Sequence, residues 1–269
     1  MRIYIIRHGE TTANRDGILQ GQADYPLLEE GVQMAARVGR ALVDVRFDAA
    51  FSSPLTRAMH TARAVLDASG NAAVPVCADD RLLELHMGVA QGVRYRGGGA
   101  DTDAGTGAGA GGQARADADA GADAGARSDA DAKARAHAEY IRGFLEMPPD
   151  FAGFPGGESR ADLCRRTQEF LHELARKDYG TVLVSTHGCA LRAMLNQLYD
   201  DPADFWHGHV SRNCAVSIVE VYDVATDDAA ESEAGGDAGT FAPAAGQAML
   251  CGDSHPLCLR LASDDLILY

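Results

Sequence analysis

The sequence predicts an α/β protein, a three-layer sandwich in which a mostly parallel central sheet is covered by helices on both faces. Three observations carry this. Short β-branched runs alternate with amphipathic helical patterns along most of the chain. Two of those runs, RIYII and TVLVS, are each followed closely by a His-Gly pair, His8-Gly9 and His187-Gly188. At 269 residues the chain is long enough to bury a full core. In open α/β sheets ligands bind beyond the carboxyl ends of the strands. If the two strands are neighbours, His8 and His187 face one crevice.

Each element follows from local pattern. Arg2 to Ile6 is a short buried strand. Thr11 to Asp24 is polar and reads as a loop, in which Thr11 or Thr12 can cap a helical turn. Glu29 to Val45 places Val32, Ala35, Ala36, Val38, Gly39, Leu42 and Val43 at amphipathic helical spacing. Phe47 to Ser52 is a second strand. Pro54 opens a helix through Leu66, because proline near the first turn gives up no hydrogen bond. Ala73 to Cys77 is a third strand. Arg160 to Lys177 is a helix behind the turn PGGES, Thr181 to Ser185 a strand, Cys189 to Tyr199 a helix, and Ala215 to Tyr222 a strand. Leu266 to Tyr269 is a last short strand.

Two stretches break this rhythm. Residues from about 94 to 138 are nearly all Ala, Gly and Asp with a few Arg, and about 225 to 255 are acidic and Gly/Ala-rich. Both read as low-complexity inserts in a single domain spanning 1–269. Alanines before Tyr140 favour extending the helix that follows.

The formal net charge of −15 argues against a nucleic-acid or anionic-membrane surface, and leaves room for a small anionic ligand that feels local charge first. The six cysteines are scattered and read as reduced thiols. No signal-peptide pattern opens the chain, and no apolar run approaches the roughly 20 residues of a membrane helix. The expectation is a soluble, cytoplasmic protein with no nucleic-acid or membrane partner. Nothing in the sequence indicates an oligomeric state.

Arg7, His8, Arg57, Glu84 and His187 together describe a phosphate pocket with a nucleophile and an acid. Neutral imidazole attacks phosphorus. Guanidinium forks match phosphate oxygens. Glycine after each histidine lets backbone approach an anion, and helix starts after Pro54 and Gly188 add favourable dipole ends. Glu84 can protonate a leaving alkoxide. The cations are side chains, so neither metal nor cofactor is expected. A neutral His8 beside a protonated Glu84 predicts a bell-shaped rate profile. His207 and His209, beside Trp206, read as structural rather than metal-binding.

The ordered stretches RHGET, SSPLTRAMHTA, LLELHMGVAQG, PGGES and STHG resemble the histidine phosphatase superfamily, also called phosphoglycerate mutase-like. The resemblance covers roughly 1–92, 139–222 and the last few residues, and it implies that family's fold. It implies that His8 forms a phosphohistidine and that Arg7, Arg57 and His187 hold the phosphoryl oxygens. Glu84 would protonate the leaving oxygen and then help activate water. Asn14 and Gln20 fall where relatives often meet phosphate or substrate, Gly21 is a further substrate-binding candidate, and Gly188 would offer a backbone donor. Ala90 and Gln91 stand where many phosphatases of the group carry Trp-Glu, and His60 replaces a frequent Gln. Leu85 follows the acid where mutases typically have Arg. The expected function is therefore metal-independent hydrolysis of a small phosphorylated metabolite. The alternatives are a cofactor-dependent phosphoglycerate mutase and a non-catalytic phosphate-binding or scaffold protein. Tyr25, His86 and Asn213 are further candidates near the pocket.

Overall fold

β1 (Arg2–Arg7) and β4 (Thr181–Thr186) lie side by side and parallel, with Ile5 opposite Val184 and Arg7 opposite Thr186. The computed structural model describes residues 1–95, 138–208, 210–223, 247–250 and 257–268. Beyond β4 come β2 (Ala49–Ser52) and β3 (Val76–Ala78), both parallel to it. On the other side β5 (Val216–Asp223) runs antiparallel to β1, followed by β7 (Leu257–Leu266) and β6 (Gln247–Leu250), also antiparallel. The order is β3-β2-β4-β1-β5-β7-β6. The parallel half carries the two His-Gly turns, and the sheet becomes mixed toward the β6 edge.

Strand alternation sorts the core into layers. Ile3, Ile5, Val182 and Val184 point to one face, where they pack with Phe170, Leu171 and Leu174 of α5 (Arg160–Ala175) and Leu191 and Met194 of α6 (Gly188–Leu195). Tyr4, Ile6 and Leu183 point to the other. There they meet Ala35 and Val38 of α2 (Glu29–Ala41) and Ala62, Val65 and Leu66 of α3 (Thr56–Ala68). Residues with period 2 in a strand and about 3.6 in a helix produce this sandwich. A third cluster, including Leu19, Met87, Phe144, Phe154, Leu163, Phe205 and Trp206, lies around the loops at one end of the sheet. Phe144 belongs to α4, helical over 138–146.

Several boundaries differ from the sequence reading. α1 (Thr12–Arg15) is capped by Thr11 in a reciprocal pair with Asn14. α2 ends at Ala41, because the N–H of Val45 turns back to the carbonyl of Leu42. α3 starts at Thr56, where the Asp24 carboxylate accepts from the Thr56 N–H and hydroxyl. The third strand begins at Val76, since Val74 N–H closes a turn onto Asn71. The helix after β4 ends at Leu195 and passes into a 3-10 turn, Asn196–Leu198.

The last strand is the larger correction. It spans Leu257–Leu266, not 266–269, and it is paired along β5. Its ASDD stretch looks too acidic for a strand interior. Asp264, however, turns inward to Arg192 (Nη1 to Oδ2, 2.6 Å) and accepts from Ser217 at 2.5 Å. The expected insert at 225–255 also contains a strand, β6, although 224–246 and 251–256 lie outside the described residues. Of the first insert, 96–137 lie outside them as well. Its expected opening is part of the fold: Arg94 bridges to Ile18, and Tyr95 N–H donates to the Gly17 carbonyl at 2.8 Å. No helix among the described residues is long and apolar enough to cross a membrane.

Candidate active site

His8 follows β1 directly, and its N–H extends the ladder to the Thr186 carbonyl (2.9 Å). His187 follows β4, so parallel pairing in register brings the two rings to a centroid separation of 5.1 Å. The turn after His8 is tight by necessity. A Cβ on Gly9 would stand 2.6 Å from the Gly31 carbonyl oxygen, so α2 packs against bare backbone. Gly9 N–H donates to Thr61 of α3 (2.9 Å). Asn213, in the connection entering β5, donates to the carbonyls of His8 (2.9 Å) and Gly9 (3.2 Å). It holds the turn from outside rather than reaching into the pocket floor.

The tautomers of both histidines can be read from their partners. His8 Nδ1 lies 2.7 Å from the Gly9 carbonyl, which only accepts, so Nδ1 carries the proton and the lone pair sits on Nε2. His187 Nδ1 accepts from Arg57 Nε (3.2 Å), and its Nε2 pairs with the Ser53 hydroxyl (2.8 Å). Both ring nitrogens of His187 are therefore taken by protein groups, and the ring sits fully buried behind Arg57. As the site stands, neither is free for the direct phosphoryl contact expected of it.

Arg57 is wholly buried. Its Nη1 and Nη2 donate to the carbonyls of Ala23 (2.6 Å) and Gly21 (2.7 Å). With the bond to His187, three of its five N–H groups are used and two remain. Burial pulls it down to about 10, still a cation at neutral pH. Arg7 Nη1 donates to the Ser211 carbonyl, while its buried Nε has no partner among the described residues. The guanidinium lies against Gly188, 3.6 Å from where a Cβ would be. Glu84 reaches the start of α6: its carboxylate accepts from the N–H groups of Leu85 (2.8 Å), Ala190 (3.1 Å) and Cys189 (3.3 Å). It thus fills the orphan donors of a helix whose cap residue, His187, supplies none. Asn14 is tied to Thr11, and the Thr11 hydroxyl lies 3.0 Å from Gln20 Oε1.

Arg7, His8, Asn14, Gln20, Gly21, Arg57, Glu84 and Gly188 all line one cleft that opens to solvent. His187 stands behind it. His86 and His60 are exposed, and neither they nor Tyr25 line it. His207 stacks on Tyr199 with ring centroids 3.8 Å apart, and His209 lies outside the described residues.

Sequence reasoning passed over the support of the acid-bearing loop. Arg166 of α5 donates to the carbonyls of Arg81 (2.8 Å), Leu83 (2.7 Å) and Glu84 (3.1 Å) while paired with Glu158 at 2.6 Å. An arginine on a helix reads as solvated, and only the Glu in PGGES hinted at a partner. The same PGGES turn packs on the loop through backbone: Glu158 N–H donates to the His86 carbonyl (2.8 Å), and Val89 N–H to the Pro155 carbonyl (3.1 Å). Gly88 has a positive φ of 46°, and a Cβ there would lie 2.2 Å from the Pro155 oxygen. Gly88→Ala should cost about 2 kcal/mol or more and displace Glu84. Thermal unfolding and turnover, measured together, should both fall.

Burial and the nearby Arg57 and Arg7 guanidinium groups, in that order, hold His8 well below 6.5, against a smaller upward pull from the Gly9 carbonyl. Burial and then Arg57 do the same for His187. Both are neutral in the folded protein at neutral pH. As pH falls through 6.5 the unfolded chain takes up these protons first, so native stability is lost as pH drops toward the folded values. The thermal midpoint should fall from pH 7 to 5, and less steeply in His8→Asn.

The profile of the histidine phosphatase superfamily (branch 1) matches residues 3–138 and 119–227, and the chain belongs to that family. It is similar to the 2,3-bisphosphoglycerate-dependent phosphoglycerate mutase 2 of Gloeobacter violaceus, 32% identical over 199 residues, covering 73% of this chain and 74% of that one. The probable phosphoglycerate mutase GpmB of Erwinia tasmaniensis is 28% identical over 221 residues, covering 82% and 85%. Among solved structures, Bacillus stearothermophilus YhfR superposes with a TM-score of 0.62 at 27% identity, covering 82% of this chain and 91% of its own. The α-ribazole phosphatase of Shigella flexneri superposes with a TM-score of 0.61 at 24% identity over the same shares, a likeness of fold.

Proposed function

We propose that the protein hydrolyses a small phosphomonoester through a phosphohistidine on His8. The observation that carries this is the pinned tautomer of His8: its Nδ1 proton is spent on the Gly9 carbonyl, which aims the Nε2 lone pair away from that bond. The unpartnered Arg7 Nε and the two spare N–H groups of Arg57 supply phosphoryl donors in the same cleft.

In the first step Nε2 attacks phosphorus, the P–O bond to the leaving group breaks, and Glu84 in its acid form donates a proton to the departing oxygen. In the second, water attacks phosphorus, the P–N bond breaks with its electron pair returning to Nε2, the water's proton passes to the Glu84 carboxylate, and inorganic phosphate leaves with His8 neutral again. Arg7 and Arg57 bear the charge on the equatorial oxygens. His187 orients Arg57 and keeps its Nε–H occupied. The mutase is the second reading, favoured by the names of the two sequence relatives. There the phosphoryl group would return to an organic hydroxyl instead of water.

The test is turnover of p-nitrophenyl phosphate with EDTA present, together with acid-labile trapping of a phosphoenzyme. Steady turnover with a transient adduct is the expected result. A long-lived adduct with negligible turnover would favour the mutase, and neither adduct nor turnover would overturn both. The acid limb of kcat/KM should lie below pH 6.5, because His8 stays neutral to lower pH than free imidazole.

A further inference from the structure

The phosphoryl end is only half of the cleft. The other half is built from Met87, Tyr95, Phe144, Leu145, Trp206 and Val210. Three of these are aromatic rings already set against one another. Tyr95 and Phe144 lie 6.1 Å apart by centroid, and Phe144 meets Trp206 edge-on at 5.5 Å. The indole N–H is spent on the Phe144 carbonyl (3.1 Å), so the Trp206 ring is locked and asks nothing polar of a ligand. Leu145 and Val210 stand at the mouth, 53% and 36% exposed. Exposed apolar side chains at the mouth of a cleft whose deeper wall is buried core, beside a polar end that fixes orientation, are the ordinary form of a site for a partly apolar small molecule.

We infer that the substrate's leaving group is a ring-bearing or otherwise apolar alcohol or phenol, seated on this wall. The inference rests on the proposed function for the placement of the phosphoryl group at the His8 end. A leaving group of that kind covers Leu145 and Val210 and removes their surface from water. A short polyhydroxy group would set its hydroxyls against the Phe144 and Trp206 rings, which offer them no partner.

Phosphonates test this without turnover. Benzylphosphonate and 2-hydroxyethylphosphonate share the anionic head and differ in the group facing the wall. Calorimetric titration of the full chain should show benzylphosphonate binding about tenfold tighter or more, as burial of one ring provides. In the double variant Leu145→Asn, Val210→Asn, on surface positions that leave the core intact, the ratio should shrink at least about threefold. Equal affinities, tighter binding of the hydroxyethyl compound, an unchanged ratio in the variant, or no binding of either would overturn the inference. The trapped adduct on His8 reports separately on the proposed function. An adduct with equal phosphonate affinities keeps that function and discards the apolar leaving group. A strong benzyl preference without any adduct does the reverse.

Discussion

His8→Ala is expected to lower turnover of an aryl phosphate by about 10⁴-fold or more and to abolish the trapped adduct. Among the described residues, no other side chain in the cleft presents a neutral lone pair with its tautomer fixed in this way. His187 is 5.1 Å away by ring centroid, but Arg57 and Ser53 hold its nitrogens. The loss should be chemical rather than structural. His8 sits at the end of β1, where its main-chain bonds to Thr186 and Asn213 survive the substitution. Circular dichroism and the thermal midpoint should therefore change little. His8→Asn, which keeps a polar group near the Gly9 carbonyl, should be as inactive. Residual turnover above a few per cent in either variant would remove His8 from the nucleophile's role.

Arg57→Met should damage both stability and activity. The guanidinium is buried and bonds the Gly21 and Ala23 carbonyls and His187 Nδ1. Methionine fills much of the stem volume and satisfies none of the three acceptors, so about 3 kcal/mol should be lost. For a chain of this size that is a drop of roughly 6–12 °C in the thermal midpoint. Activity should fall about 10³-fold, as expected for loss of a preorganised donor to the transition state. Arg57→Lys separates the two roles. An ammonium can reach one or two of the carbonyls but lacks the fork. It should recover part of the stability and little of the rate. If Arg57→Met unfolds near the wild-type temperature, the carbonyl bonds do not carry the 20s loop.

The strand-and-helix rhythm, the placement of both His-Gly turns and the residue types gathered at the cleft were legible in the sequence because each is a local signal. RIYIIRHG states a strand, its end and a reactive group within eight residues. What was illegible depends on partners far along the chain. Asp264 looked like loop chemistry until Arg192, tyrosine 199 (Tyr199) and Ser217 gathered around it. Arg166 gave no sign that it grips three carbonyls of the acid loop. The engagement of both His187 nitrogens could not be read either, since Ser53 and Arg57 approach it from other elements. Spacing reveals which groups are present, but hydrogen-bond accounting decides which remain available to a substrate.

The pairing of β1 with β4 also governs how the protein acquires its site. Ile5 and Val184 are about 180 residues apart in the chain, and the cleft exists only once that ring of polypeptide has closed. The entropy of closing such a ring grows only logarithmically, so another doubling of the intervening chain would add about 0.6 kcal/mol. A lineage can lengthen the sequence between the two halves at little thermodynamic expense. The toll falls on kinetics instead, because contacts so distant in sequence form late. On refolding, phosphate binding should return with the final sheet assembly and not with early helix formation.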